Sequence, residues 1–236
     1  MNFTSVNKIF EKSFKKNWDR PAISNYQGVT FYYRDLARRI EKLHIVFETC
    51  GLQKGDKVAI CSRNQANWVV SFLAAMTYGA VPVPLMHEFK SSNIHHLVNH
   101  SEAKVLFVDE VIWEGLSESE MPDLLAIIQV NTFKLLYAAN DEIVYVREHL
   151  NELFGKKYPM DFLPESINYC EDKADELAII NYTSGTSGFS KGVMIPYRAI
   201  CSNLEFAKKV LPQLNNTSRV VAMLPSAHMY GLMFEV

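Results

Sequence analysis

The segment Tyr182-Thr-Ser-Gly-Thr-Ser-Gly-Phe-Ser-Lys-Gly192 gathers Ser and Thr hydroxyls, three glycines and one lysine into eleven residues. Glycine lets a backbone adopt positive φ and approach a ligand closely. Successive N–H groups in such a loop form an anion-binding nest. The hydroxyls add donors and Lys191 adds a point charge. The ligand this chemistry fits is a phosphate chain. A ligand-free Ser/Gly hairpin is the competing reading, but such hairpins rarely carry this hydroxyl density and an embedded lysine between two strands.

The spacing excludes a Walker A loop, whose pattern is G-x-x-x-x-G-K-[ST]. Counted from Gly185, the second glycine position holds Ser190, and Gly192 stands where Ser or Thr belongs. The flanking elements differ too. Leu177 to Asn181 reads as a buried strand, Gly192 to Ile195 as another, and Pro196 precedes a helix over Tyr197 to Val210. That is strand–loop–strand, whereas a Walker loop opens directly into a helix. Other clusters carry less. His96 and His100 share a helical face four residues apart, a spacing zinc can use. Their H-L-V-N-H context has no glutamate, so with His95 they read as solvated. Ser184 lies outside any G-x-S-x-G elbow. Tyr26, Phe31, Tyr32 and Tyr33 read as a hairpin core. Asp109-Glu110 and Asp141-Glu142 read as turn and cap residues. The run Glu171 to Glu176 reads as a solvated approach to the strand.

The elements that position the loop follow from periodicity. Val6, Ile9, Phe10 and Phe14 mark a first helix behind Thr4 or Ser5. Ala22 to Tyr33 reads as a hairpin turning at Gln27-Gly28. A helix through Leu36, Ile40, Leu43 and Phe47 closes at Gly51. Then come a strand (Val58 to Cys61), a helix (Gln65 to Tyr78), a strand (Ala80 to Leu85), a helix capped by Ser91 or Ser92 and running to His100, and a strand (Lys104 to Asp109). This alternation implies crossovers and a mainly parallel sheet with helices on both faces, an α/β fold. Residues 111–170 are less regular. Ile127 to Val130 and Phe133 to Tyr137 are expected as strands, and Val144 to Phe154 as one helix.

Composition bounds the function. The chain has 236 residues, 24 Lys+Arg against 26 Asp+Glu, and 48% hydrophobic residues. A formal net charge of -2 argues against a general nucleic-acid binder, which needs a basic surplus. Cys50, Cys61, Cys170 and Cys201 show no C-x-x-C spacing and read as reduced thiols. No metal site is expected among these residues. Met1 to Asp19 lacks the apolar core of a signal peptide. Trp68 to Met86 is uncharged, near the length of a membrane span, but Gly79 and Val81-Pro-Val-Pro84 interrupt it. No transmembrane segment is expected; the location read is cytoplasmic, with peripheral membrane contact through the lysine-bearing first helix as the alternative.

The loop Tyr182-Thr-Ser-Gly-Thr-Ser-Gly-Phe-Ser-Lys-Gly-Val193 resembles the phosphate-binding signature of the AMP-forming adenylating enzymes. It departs at Ser190, where the family usually has proline. Met223-Leu-Pro-Ser-Ala-His-Met-Tyr-Gly231 resembles the Leu-Pro-x-x-His-x-x-Gly segment of the acyl-CoA synthetase branch. Gly55-Asp-Lys-Val-Ala-Ile60, Trp68 to Gly79 and Val81-Pro-Val-Pro84 resemble the family's N-terminal subdomain more weakly. The resemblance implies that Thr183, Ser184, Gly185, Thr186, Ser187, Gly188 and Lys191 cradle the β- and γ-phosphates of ATP. It implies that His228 lines the acyl end, with Lys191 and His228 as the catalytic pair. The implied reaction joins a carboxylic acid, preferably a fatty acid, to coenzyme A through an acyl-adenylate, using Mg2+ whose carboxylate ligand lies outside this chain. The family's Tyr-Gly-x-Thr-Glu segment, its ribose-binding aspartate and its late lysine do not follow Gly231. Residues 1–236 are therefore expected to be the N-terminal part of the adenylation domain, the rest and the small C-terminal domain being absent. Such a piece is not expected to complete adenylation, and a truncation surface would favour dimerisation. A short nucleotide-binding or partner-binding module that kept only the phosphate loop is the alternative.

Overall fold

The computed structural model describes residues 3–183 and 190–235. The chain begins with α1 (Val6–Lys16), then the hairpin β1 (Pro21–Ser24) and β2 (Thr30–Tyr32), then α2 (Tyr33–Thr49). Alternation follows: β3 (Lys57–Cys61), α3 (Ala66–Tyr78), β4 (Val81–Leu85), α4 (Ser91–His100), β5 (Ala103–Val108) and the single turn α5 (Glu110–Trp113). Next are β6 (Ala126–Gln129), β7 (Leu135–Ala138), α6 (Asp141–Glu148) and α7 (Leu150–Lys157). The last elements are β8 (Leu177–Thr183), β9 (Lys191–Pro196), α8 (Tyr197–Val210) and α9 (Met229–Glu235).

An apolar run such as Val58-Ala-Ile-Cys61 must be covered on both faces. It lies inside a five-stranded sheet of order β4-β3-β5-β6-β7. β3 runs parallel to β4 and β5, and β5 parallel to β6. Because side chains alternate across a strand, Val58, Ile60, Val105, Phe107 and Ile128 pack on one face with α2 and α3. Ala59, Cys61, Leu106, Val108 and Ile127 pack on the other with Ile94, Leu97 and Val98 of α4. The expected α/β fold, with its mainly parallel sheet and helices on both faces, is the fold found. β7 is the exception, antiparallel to β6. The link between them is a tight turn in which the Phe133 N–H donates to Gln129 O at 2.8 Å, too short for a crossover.

The sheet's other edge is set by proline. Val81 N–H donates to Asp56 O at 2.8 Å, just before β3, so alternate N–H positions of β4 face β3. Pro82 and Pro84 therefore occupy the outward positions and offer no donor. β8 packs against β4 but forms its hydrogen-bonded ladder with β9 alone. The uncharged stretch from Trp68 divides as expected. α3 ends at Gly79, whose φ of 95° needs glycine, and β4 follows. Among the described residues no helix is long and apolar enough to cross a membrane.

Three details differ from the periodicity. The helix expected over Val144 to Phe154 is two, broken at His149, where the backbone leaves helical geometry at φ -99° and ψ 16°. α4 begins after Lys90, without a side-chain cap from either serine. Asp172, read as solvated, is 3% exposed. Its carboxylate accepts from Ser5 Oγ (2.6 Å), Val6 N (3.0 Å) and Asn7 N (2.8 Å), closing the N-terminus of α1. Orphan N–H groups and the positive end of a helix dipole make that a favourable place for a carboxylate.

Candidate functional site

β8 and β9 pair antiparallel with Thr183 opposite Lys191, so the residues bounding the loop stand side by side. Ser184, Gly185, Thr186, Ser187 and Gly188 lie outside the described residues. The strand–loop–strand context is the one the sequence implies, and α8 starts at Tyr197 behind Pro196. Gly192 faces Tyr182 in the register. A Cβ there would meet Ile180 Cγ2 at 3.1 Å and the Tyr182 ring at 3.2 Å, so a larger residue would have to push those side chains aside by a few tenths of an ångström. Thr183 and Lys191 are exposed, and Lys191 forms no ion pair among the described residues.

The base of the hairpin is tied to α4. Tyr182 is buried, and burial raises the pKa of its phenol. Its hydroxyl shares a hydrogen bond of 2.7 Å with His100 Nδ1. His95 Nε2 accepts from Ser117 N at 3.1 Å. Two of the three histidines of this helix thus have structural partners. Among the described residues no three His, Cys, Asp or Glu side chains gather as a metal would need. Cys50 and Cys61 are free and buried, and burial pushes both thiols up to about 12.

Two asparagines bring the His228 segment to the same place. Asn181, buried in β8, donates through Nδ2 to Ala227 O at 2.9 Å. Asn64, just beyond the carboxyl end of β3, donates to Leu224 O at 2.6 Å and accepts from Ser226 N at 2.7 Å. His228 itself is exposed, its N–H donating to Pro225 O at 2.8 Å. Asp109 does not cap α5; it holds the same rim, accepting from Arg63 N and Gln65 Nε2, each at 2.9 Å. The end of β8 and the segment before His228 therefore meet beside the carboxyl end of β3. In α/β sheets ligands bind in this crevice. What the residues can do there is bind an anion at Lys191 and Thr183 with an imidazole nearby.

Motif reasoning missed Asn64 and Asn181. Asn181 did carry a signal: a lone amide inside Leu-Ala-Ile-Ile-Asn must find a partner once buried. Asn64 had none, because its partners are 160 and 162 positions away.

Residues 10–236 match the AMP-binding enzyme family. The chain is 27% identical over 223 residues to long chain acyl-CoA synthetase 3 of Arabidopsis thaliana, covering 86% of this chain and 31% of that protein. It is 25% identical over 249 residues to a long-chain-fatty-acid–CoA ligase of Salmonella typhimurium, covering 98% of this chain and 44% of that one. The chain thus spans less than half the length of either relative. Its fold superimposes on ATP-bound MatB from Rhodopseudomonas palustris with a TM-score of 0.73 at 22% identity, covering 98% of this chain and 42% of that structure.

Proposed function

The chain belongs to the AMP-binding enzyme family, and on that premise we propose that it forms the N-terminal part of the adenylation domain of an AMP-forming carboxylate–CoA ligase. A fatty acid is the preferred substrate, in keeping with the named activities of the two curated relatives. The observation that supports the reading is the pairing of Thr183 with Lys191 at the carboxyl end of β8, where Asn181 also holds Ala227 beside His228.

In the first half-reaction a carboxylate oxygen attacks the α-phosphorus of ATP. The bond to pyrophosphate breaks and an acyl-adenylate forms. In the second, the sulfur of coenzyme A attacks the acyl carbon and AMP leaves. Charge builds on the departing phosphates, so donors already aimed at them stabilise the transition state. In this reading Thr183, Ser184, Gly185, Thr186, Ser187, Gly188 and Lys191 hold the β- and γ-phosphates. His228 lines the acid's end of the crevice. No described residue is assigned to magnesium, since no cluster of ligands is present near the loop. Exposed apolar side chains on β9 and beyond it, including Met194, Val221 and Met223, fit a surface made to be covered by more of the domain.

Calorimetric titration with ATP tests the assignment. Lys191→Ala should weaken binding by about tenfold, the value of one charge-assisted hydrogen bond. Equal affinity in parent and variant would sink it. The chain alone should show no carboxylate-dependent exchange between ATP and pyrophosphate; such exchange would refute the incomplete-site reading.

A further inference from the structure

A cavity of about 540 Å³ opens between α2, the β6–β7 turn and α6–α7. Its volume suits a small molecule. Its wall carries four cations, Arg38, Arg39, Lys42 and Arg147, against two carboxylates, Asp35 and Glu148. Among the described residues none of the four cations enters an ion pair. Asp35 accepts from Tyr32 N at 2.9 Å at the start of α2 and offsets part of the burial cost of Arg39.

The cations are held in place by other means. The Arg39 guanidinium carbon sits 4.4 Å from the centre of the Phe31 ring, and that of Arg38 lies 5.9 Å from the Phe154 ring. Lys42 Nζ donates to Asn151 Oδ1 at 2.6 Å, and Arg147 Nε donates to Phe133 O at 2.5 Å. Like charges are thus fixed close together in a half-buried wall. Burial, then Arg38, Arg39 and Arg147, push the pKa of Lys42 down, and burial lowers those of Arg39 and Arg147. An anion placed among them would relieve both the repulsion and the lost hydration.

We propose that this cavity binds the phosphate group of a small soluble organic phosphate. Phosphate carries nearly two charges and three acceptor oxygens, which suits several cations better than a single carboxylate would. Arginine's planar fork of donors matches phosphate oxygens, and ring stacking leaves its edge free for them. Leu43, Val46, Ile128 and Leu150 supply an apolar wall for the organic part. The place is separate from the hairpin loop. β6, which borders the cavity, lies three strands from β4, about 14 Å by the usual strand spacing, and β8 lies beyond β4.

The test is a titration of the whole chain with phenyl phosphate, followed through the arginine Nε–Hε resonances and by calorimetry. Saturable movement of the Arg39 and Arg147 signals is expected, with benzoate binding there about tenfold more weakly. Arg39→Gln and Arg147→Gln should each weaken phenyl phosphate by about tenfold, while Lys12→Gln, on the exposed face of α1, leaves it unchanged. Unmoved arginine resonances in the parent chain would overturn the proposal without any variant having to fold. So would binding lost in Lys191→Gln but kept in Arg39→Gln, or binding only to phosphatidic acid in vesicles and not to the soluble ester.

Discussion

Around β3 the side chains are covered from both sides: Ile60 and its neighbour Phe107 are 0% exposed. β9, also a strand rich in apolar residues, leaves Val193 at 47% and Met194 at 68%. Phe206 and Val210 of α8 and Val220 to Met223 beyond it are exposed as well. The two regions share composition but not closure. The first has a helix for each face of the sheet; in the second, β9 pairs with β8 on one edge and leaves Val193 and Met194 toward solvent. Hydrophobicity alone therefore does not say where a core will be. What decides is whether a second layer reaches the strand.

The sharpest way to break this contrast is to truncate on each side of it. Phe107→Ala should destabilise by about 3–5 kcal/mol in equilibrium denaturation, because Phe47 and Phe133 pack edge-on against its ring and cannot collapse into the gap. A loss under about 1 kcal/mol would mean the covered region is looser than it looks. Asp172→Ala comes next, at about 3 kcal/mol, since three donors lose a buried acceptor at once. Circular dichroism should show the first helix fraying before the sheet melts; a single unchanged transition would count against the cap.

Acid sensitivity should also belong to the covered region. Burial lowers the pKa of His44 from 6.5 to about 3. Its Nε2 faces the Ala74 carbonyl at 3.1 Å, which can only accept, so the neutral ring carries its proton there. Below pH 6.5 the unfolded chain takes up a proton that the folded one refuses until about pH 3. Stability present at neutral pH is therefore lost through that window, at about 1.4 kcal/mol per pH unit. Glu41, whose Oε1 is 3.6 Å from His44 Nδ1, works in the other direction. Burial raises its pKa, so its contribution declines as pH rises above 4.5. His44→Gln should flatten the loss of stability between pH 6.5 and about pH 3, and chemical denaturation at several pH values will show whether it does. The smallest effect is expected at the surface. Met194→Ser should change stability by less than about 0.5 kcal/mol and reduce self-association measured by ultracentrifugation.

The order of elements was readable because local signals agreed with distant ones. Gly79 ends a helix and Pro82 cannot continue it, whatever surrounds them. The pairing of β8 with β9 was readable for the same reason: Leu177 to Asn181 and Gly192 to Ile195 are strand-forming runs flanking turn-forming residues. What escaped were assignments made from far away. Asp172 sits in a polar run that looks solvated, and only the arrival of α1 buries it. Asn64 resembles any loop amide until the segment from Leu224 to Ser226 folds onto it. The break at His149 lies in a stretch of even helical propensity, where packing of α6 and α7 on α2 sets the angle. The site residues split along the same line. Hydroxyls, glycines and a lysine at fixed spacing carry a local signature, and the amides that bring the histidine segment to them do not.

The cap on α1 also sets an order of events when the chain is made. Val6 N reaches Asp172 across 166 positions. At about 5–20 residues per second, roughly 8–33 seconds of synthesis separate the first helix from the carboxylate that closes it. α1 leaves the ribosome well before Asp172 does and is thus locked down late. Until then its apolar stripe of Val6 and Phe14 is open to whatever chaperone stands at the exit.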